Sequence, residues 1–140
     1  MKKIITIALF LAGTTLFAQA PASTTPAQTS PAPSAKATAL SKSWILSSTE
    51  NFGDKHAPTD IQKIDLLNLM EGGHYRLIMN GVAESGTWML SKDNLWITLT
   101  SSTSDVKKFK ILESTETMLK VDYRDADDIH NILVYSILKR

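Results

Sequence analysis

From Trp44 to Lys139, apolar and polar residues alternate in short runs, and clusters of turn-forming residues interrupt the pattern about every ten residues. A two-residue period puts successive side chains on opposite faces of an extended strand, and this region lacks the spacing of an amphipathic helix. Eight such runs are present. The connections between most of them are too short to cross over a sheet, so neighbouring strands run antiparallel, as a meander. A meander of eight strands closes most simply into an up-and-down barrel, which leaves no free edge. An open sandwich is the alternative. The expected fold class is all-β, an eight-stranded antiparallel barrel.

The alternation also assigns faces. The first strand, 43–50, puts Trp44 and Leu46 on one side, and a long connection follows from Asn51 to Asp60. The second, 61–70, is apolar on both faces, with Leu67 and Leu69 opposed to Ile64, Leu66 and Met70. Gly72-Gly73 then provides the positive φ angles of a tight hairpin. The third strand points Tyr75, Leu77 and Met79 inward, and Asn80-Gly81 opens a turn that extends toward Glu84. Gly86, Trp88 and Leu90 share a face of the fourth strand. Leu95, Ile97 and Leu99 share a face of the fifth, opposite Trp96, Thr98 and Thr100. The sixth strand buries Phe109 and Ile111 and leaves Lys108 and Lys110 to water; the seventh buries Leu119, Val121 and Tyr123. The eighth, 129–139, is apolar on both faces, so periodicity does not orient it. The surplus apolar residues of the second and eighth strands predict a patch that docks a protein partner or a second copy, or that the 51–60 connection covers.

The N-terminus reads differently. Met1-Lys2-Lys3 and the apolar run Ile4 to Phe17 form the n- and h-regions of a secretory signal, too short and too interrupted for a membrane span. Cleavage after Ala18 is preferred to cleavage after Ala20, which would leave Pro21 first. No cysteine is present, so a lipoprotein anchor is excluded and the fold has no disulfides to rely on. Residues 19–42 are Pro, Ala, Ser and Thr with little else, and cannot bury enough apolar surface to order themselves. The expected organisation is a signal peptide at 1–18, a spacer at 19–42 and one domain at 43–140, exported to the periplasm or beyond, with no membrane span once the signal is cut.

Charge narrows the partners. The chain is formally +1, and loss of Lys2 and Lys3 leaves 13 basic against 14 acidic residues. Near-neutrality with dispersed charge argues against nucleic acid and against an anionic membrane. Catalysis is not expected. There is no Cys nucleophile and no Gly-x-Ser-x-Gly elbow, and paired carboxylates occur only in turns. The three imidazoles, His56, His74 and His130, have no metal-ligand spacing, and Asp125 to His130 lacks the oxygens and glycine turn of a calcium loop. Neither a metal nor a cofactor is expected.

One compact signature remains: Trp44, then Leu67 to Leu69 running into Gly73-His74-Tyr75, then Gly86-Thr87-Trp88-Met89-Leu90. In this the chain resembles the bacterial lipocalin-like domains of exported proteins over residues 43 to 139. It departs from true lipocalins at Lys42, where they carry Gly, and at Asp122-Tyr123-Arg124, where they carry Thr-Asp-Tyr. The resemblance implies an eight-stranded barrel with one ligand mouth and a closed opposite end. It also implies a basic residue over Trp44, for which Lys139 and Arg140 are the candidates. Trp44, Leu69, Tyr75, Leu77, Trp88 and Phe109 are then the residues expected to line a pocket for a small hydrophobic ligand. The competing expectation is that these same residues fill the barrel, leaving a structural or interaction module.

Overall fold

The computed structural model describes residues 33–139. The expected signal segment 1–18 and the spacer up to residue 32 lie outside the described residues. Eight strands form where the two-residue alternation runs, and β2 forms without it: β1 (Ser43–Asn51), β2 (Asp54–His56), β3 (Leu66–Leu69), β4 (His74–Met79), β5 (Val82–Leu90), β6 (Trp96–Ser101), β7 (Val106–Ser114), β8 (Met118–Arg124) and β9 (His130–Ile137). All pairings are antiparallel, in the order β2-β1-β3-β4-β5-β6-β7-β8-β9. β1 also pairs with β9, Trp44 opposite Ile137 and Glu50 opposite Ile132, and this closes the sheet. The result is a closed eight-stranded barrel plus one added strand, β2, which folds back on Thr49 to Asn51.

Closure needs strands that bend. A β-bulge between Leu46 and Ser48 and another between Ile111 and Glu113 supply an extra residue each and turn the sheet on itself. Asn80 and Gly81 both have positive φ, 50° and 77°, so the β4–β5 hairpin is a two-residue turn of the type Asn-Gly favours. That turn is shorter than the sequence suggests. Val82 already begins β5, and Glu84 lies within the strand, in register with Leu77.

The second strand also differs from its expected extent. Gln62–Ile64 form a single 3-10 turn, and β3 begins only at Leu66. The doubled apolar character of 61–70 arose because a one-turn helix and a short strand were read with one period. Ile61 and Ile64 are left exposed, and Leu66 is half-buried. Within the supposed loop 51–60, the hairpin partner β2 was missed because its three residues are all polar.

Alternation places one continuous core inside the barrel: Trp44, Leu46, Leu67, Leu69, Tyr75, Leu77, Trp88, Ile97, Leu99, Phe109, Ile111, Leu119, Val121, Leu133 and Tyr135. Leu133 and Tyr135 fix the orientation of β9 that periodicity left open. The end carrying the β3–β4, β5–β6 and β7–β8 turns is closed by a short helix, α1 (Ala35–Leu40). Ser34 caps it, its Oγ accepting from Ala37 N at 3.2 Å. Leu40 is 2% exposed, and its carbonyl accepts the Trp44 indole N–H at 3.0 Å. Lys36 donates to Ser114 Oγ, and Lys42 to Glu116 O at 3.0 Å, so the helix is fastened to the β7–β8 end. The last residues of the expected spacer therefore belong to the domain. A single leucine aligned on the first turn before Trp44 was enough to recruit them.

Candidate functional site

The opposite end of the barrel carries the β1–β2 hairpin and the β4–β5, β6–β7 and β8–β9 turns, and here the interior becomes polar. Inward register positions that are apolar deeper in the barrel are Glu84 on β5, opposite Leu77, and Lys107 on β7, opposite Leu99. Lys107 Nζ lies 2.6 Å from Glu84 Oε2, and the Tyr75 hydroxyl donates to Glu84 Oε1 at 3.1 Å. Both carboxylate oxygens are thus occupied. Burial, and then the negative charge of Glu84, pushes the Tyr75 phenol well above its usual value. Tyr135 is likewise held protonated, first by burial and then by the charge of Asp65. Asp65, 3% exposed, accepts from Asn80 N at 2.9 Å and Gly81 N at 3.2 Å, tying the segment before β3 to the β4–β5 turn.

Beside Asp65 and Tyr135 a cavity of about 170 Å³ remains, lined also by Leu46, Thr49, Asn51, Met79 and Leu133, with Asn131 among its polar neighbours. The buried Asn51 Oδ1 finds no hydrogen-bond partner among the described residues. Pockets for drug-sized ligands span roughly 300–1,000 Å³ and are mostly apolar. This one is smaller and polar, with room for a handful of waters.

A larger concavity, about 760 Å³, spans the rim of the barrel: Lys107 and Tyr123 reach it from the inward face of the wall, and Trp96, Lys108, Lys110 and Asp122 from the outward face. It runs over β6, β7, β8 and the start of β9 toward the β8–β9 turn. Trp96, in register with Lys110, and Lys108, in register with Thr98, face outward because Ile97, Leu99, Phe109 and Ile111 face in. Lys110 Nζ sits 6.0 Å from the Trp96 ring centroid. Asp122, in register with Lys110 on the other side, is engaged by His130 Nδ1 at 2.9 Å. Asp125 Oδ1 accepts from Asp127 N and Ile129 N, so this carboxylate shapes its own turn.

The six residues expected to line a ligand pocket occupy one place. Trp44, Leu69, Tyr75, Leu77 and Phe109 are at most 1% exposed and Trp88 is 7% exposed, all within the continuous core. None of them lines either cavity. The Trp88 indole donates to Met70 O at 2.9 Å, as a buried indole N–H requires. The cation over Trp44 is Lys42, 5.8 Å from the ring centroid; Lys139 is exposed and Arg140 lies outside the described residues. Among the described residues no three His, Cys, Asp or Glu side chains converge as a metal site, and no helix is long and apolar enough to cross a membrane.

Sequence reasoning passed over Trp96, Lys108 and Lys110 as ordinary outward residues. The signal was a tryptophan sharing the outward face of the fifth strand with Thr98 and Thr100, opposite Ile97 and Leu99. Its pairing with Lys110 depends on the register across the Ser101 to Asp105 turn, which periodicity does not give. The fold places the protein in the class of small closed antiparallel barrels. No protein-family model matches the chain, and no curated protein matches it significantly.

Proposed function

We propose that this chain is an exported, lipocalin-like barrel with a filled interior, acting as a non-catalytic interaction module of the cell envelope through its outer surface. The observation that carries the reading is the packing of the barrel. The apolar residues that would line a carrier's pocket are in contact with one another instead, and the space left is about 170 Å³ of polar mouth. A barrel of this strand number is just wide enough for side chains to fill it or to hold one small ligand. Here two tryptophans, two tyrosines and a phenylalanine take that room. Lipocalin-like membership is supported by Trp44 at the start of β1, by the Gly73-His74-Tyr75 and Gly86-Thr87-Trp88 segments, and by closure of one end next to Trp44. Export is supported by Met1-Lys2-Lys3 and the apolar run to Phe17. The mouth favours no chemistry, because Glu84 is bound on both oxygens by Tyr75 and Lys107.

Native mass spectrometry of the chain beginning at Gln19 tests this reading. The expected spectrum shows the polypeptide mass alone, as monomer or self-associated species. A stoichiometric apolar small molecule carried through purification would overturn it and restore the ligand carrier.

A further inference from the structure

We infer that the polar cavity at the barrel mouth is a binding site for the ammonium group of a short aliphatic amine, with Asp65 as the counter-charge and Asn51 and Tyr135 as hydrogen-bonding groups. The inference goes beyond the filled-barrel reading, because it concerns the polar rim and not the apolar interior. The cavity measures about 170 Å³. At roughly 30 Å³ for each water-sized group, that holds a guest of about five non-hydrogen atoms.

The lining sets the charge of the guest. It contains the carboxylates of Asp65 and Asp125 and no lysine, arginine or histidine. Lys107, at the same end of the barrel, is paired with Glu84 at 2.6 Å, Lys63 with Asp60 at 2.6 Å and Arg124 with Asp128 at 3.1 Å. Lys55, on β2, is exposed and is not part of the lining. Asp65 is 3% exposed, the groups bonded to its oxygens, Asn80 N and Gly81 N, are neutral, and no ion pair among the described residues includes it. A buried carboxylate without a cation beside it is costly, and a cationic guest relieves that cost.

Two further groups call for hydrogen-bond donors. Asn51 Oδ1 is a buried acceptor with no partner among the described residues. Tyr135 is 1% exposed and lines the cavity, and its hydroxyl has no hydrogen-bond partner among the described residues either. The charge of Asp65 is felt at this phenol, which puts the two groups near one another. A carboxylate accepts about four hydrogen bonds, and Asp65 receives two from the backbone. An ammonium carries three donors and no acceptor, so it supplies what Asp65, Asn51 and Tyr135 lack. Leu46, Met79 and Leu133 complete the wall and suit a short hydrocarbon chain. A calcium ion is a poorer match, because it needs six or more oxygens. Asp125 spends its oxygens on Asp127 N, Ile129 N and Asn131 Nδ2, and among the described residues no three metal-ligating side chains converge.

The test is a titration of the intact mature chain with n-propylammonium chloride at constant ionic strength, followed by the backbone amide resonances of Thr49, Asn51 and Leu133 in NMR. 1-Propanol serves as the neutral control of the same length, and calcium chloride as the competing cation. The expected result is a saturating shift of these three resonances with propylammonium alone. Asp65→Asn should weaken binding about tenfold and Asn51→Ala about three- to tenfold. Asp93→Asn, in the β5–β6 turn at the closed end, should leave it unchanged. Asn51 Oδ1 has no partner to strand, so Asn51→Ala keeps the test available if Asp65→Asn loosens the β4–β5 turn. Absence of a saturating shift, an equal shift with 1-propanol, tighter binding of calcium, or full binding by folded Asp65→Asn or Asn51→Ala would each overturn the assignment. Any of these leaves the filled-barrel reading standing, because the mass spectrum decides that separately by whether an apolar molecule is carried through purification.

Discussion

Replacing Gly86 with Ala tests how closely β5 and β6 approach. In a strand with ordinary φ, Gly to Ala normally stabilises by about 0.4–1 kcal/mol, because the unfolded chain loses freedom. Gly86 has no positive φ to protect. Yet a Cβ built on it falls 2.0 Å from Thr100 O and 2.8 Å from Ser101 Cα, both backbone atoms of β6. Ordinary contact requires about 3.5 Å, so the strands must part by roughly 1.5 Å. No side-chain rotation relieves the clash.

Gly86 is also paired on both sides, with Tyr75 and with Ser101, so the displacement spreads into two ladders. Overpacking of this kind costs about 1–3 kcal/mol. Two weakened ladder hydrogen bonds add about 1 kcal/mol each. Set against the unfolded-state gain, the net loss is about 2–4 kcal/mol. At roughly 4–8 °C per kcal/mol for a domain of this size, Tm falls by about 10 °C or more. Urea unfolding followed by tryptophan fluorescence measures the loss, with the exposed neighbour Ser85→Ala as the control expected to stay within about 0.5 kcal/mol. A Gly86→Ala variant as stable as its parent, at unchanged m, would refute the close approach and with it the register between β5 and β6.

Two further outcomes follow from the same structure. Leu40→Ala should lose about 2–4 kcal/mol, and a chain beginning at Lys42 at least as much, because Leu40 closes the barrel floor over Trp44. Equal urea midpoints for chains beginning at Pro33 and Lys42 would put α1 off the barrel. Tyr75 and Tyr135 both hold their protons more tightly folded than unfolded. Their contribution is complete below the ordinary phenol value of about 10 and is lost as pH rises beyond it, by up to about 1.4 kcal/mol per pH unit for each tyrosine. Stability measured from pH 9 to 11.5 should bend downward above 10, and Tyr75→Phe or Tyr135→Phe should flatten the fall; a slope unaffected by either change would contradict their burial.

Strand faces were legible wherever one face was polar. Tyr75 and Leu77, Ile97 and Leu99, Phe109 and Ile111 all lie inside, as alternation alone requires. It failed where the backbone changes period without a change in composition. Ile61 and Ile64 belong to a 3-10 segment whose apolar residues mimic a second strand face, and only the tertiary pairing of Leu66 with Ile78 shows where the strand begins. Short elements escaped for the same reason. α1 has six residues and β2 three, too few for any period, and each exists because β1 offers it something to bind. The site was harder still, because it is made of relations between strands. Each of Trp96, Lys108 and Lys110 is visible in the sequence as an outward residue. That Lys110 comes to the indole while His130 takes Asp122 is fixed by two registers, β6 with β7 and β8 with β9, set by turns whose lengths the alternation does not encode. Trp44, Tyr75, Trp88 and Phe109 fill the interior that a barrel of this width encloses, so of the three tryptophans only Trp96 is left on the outward face of the wall.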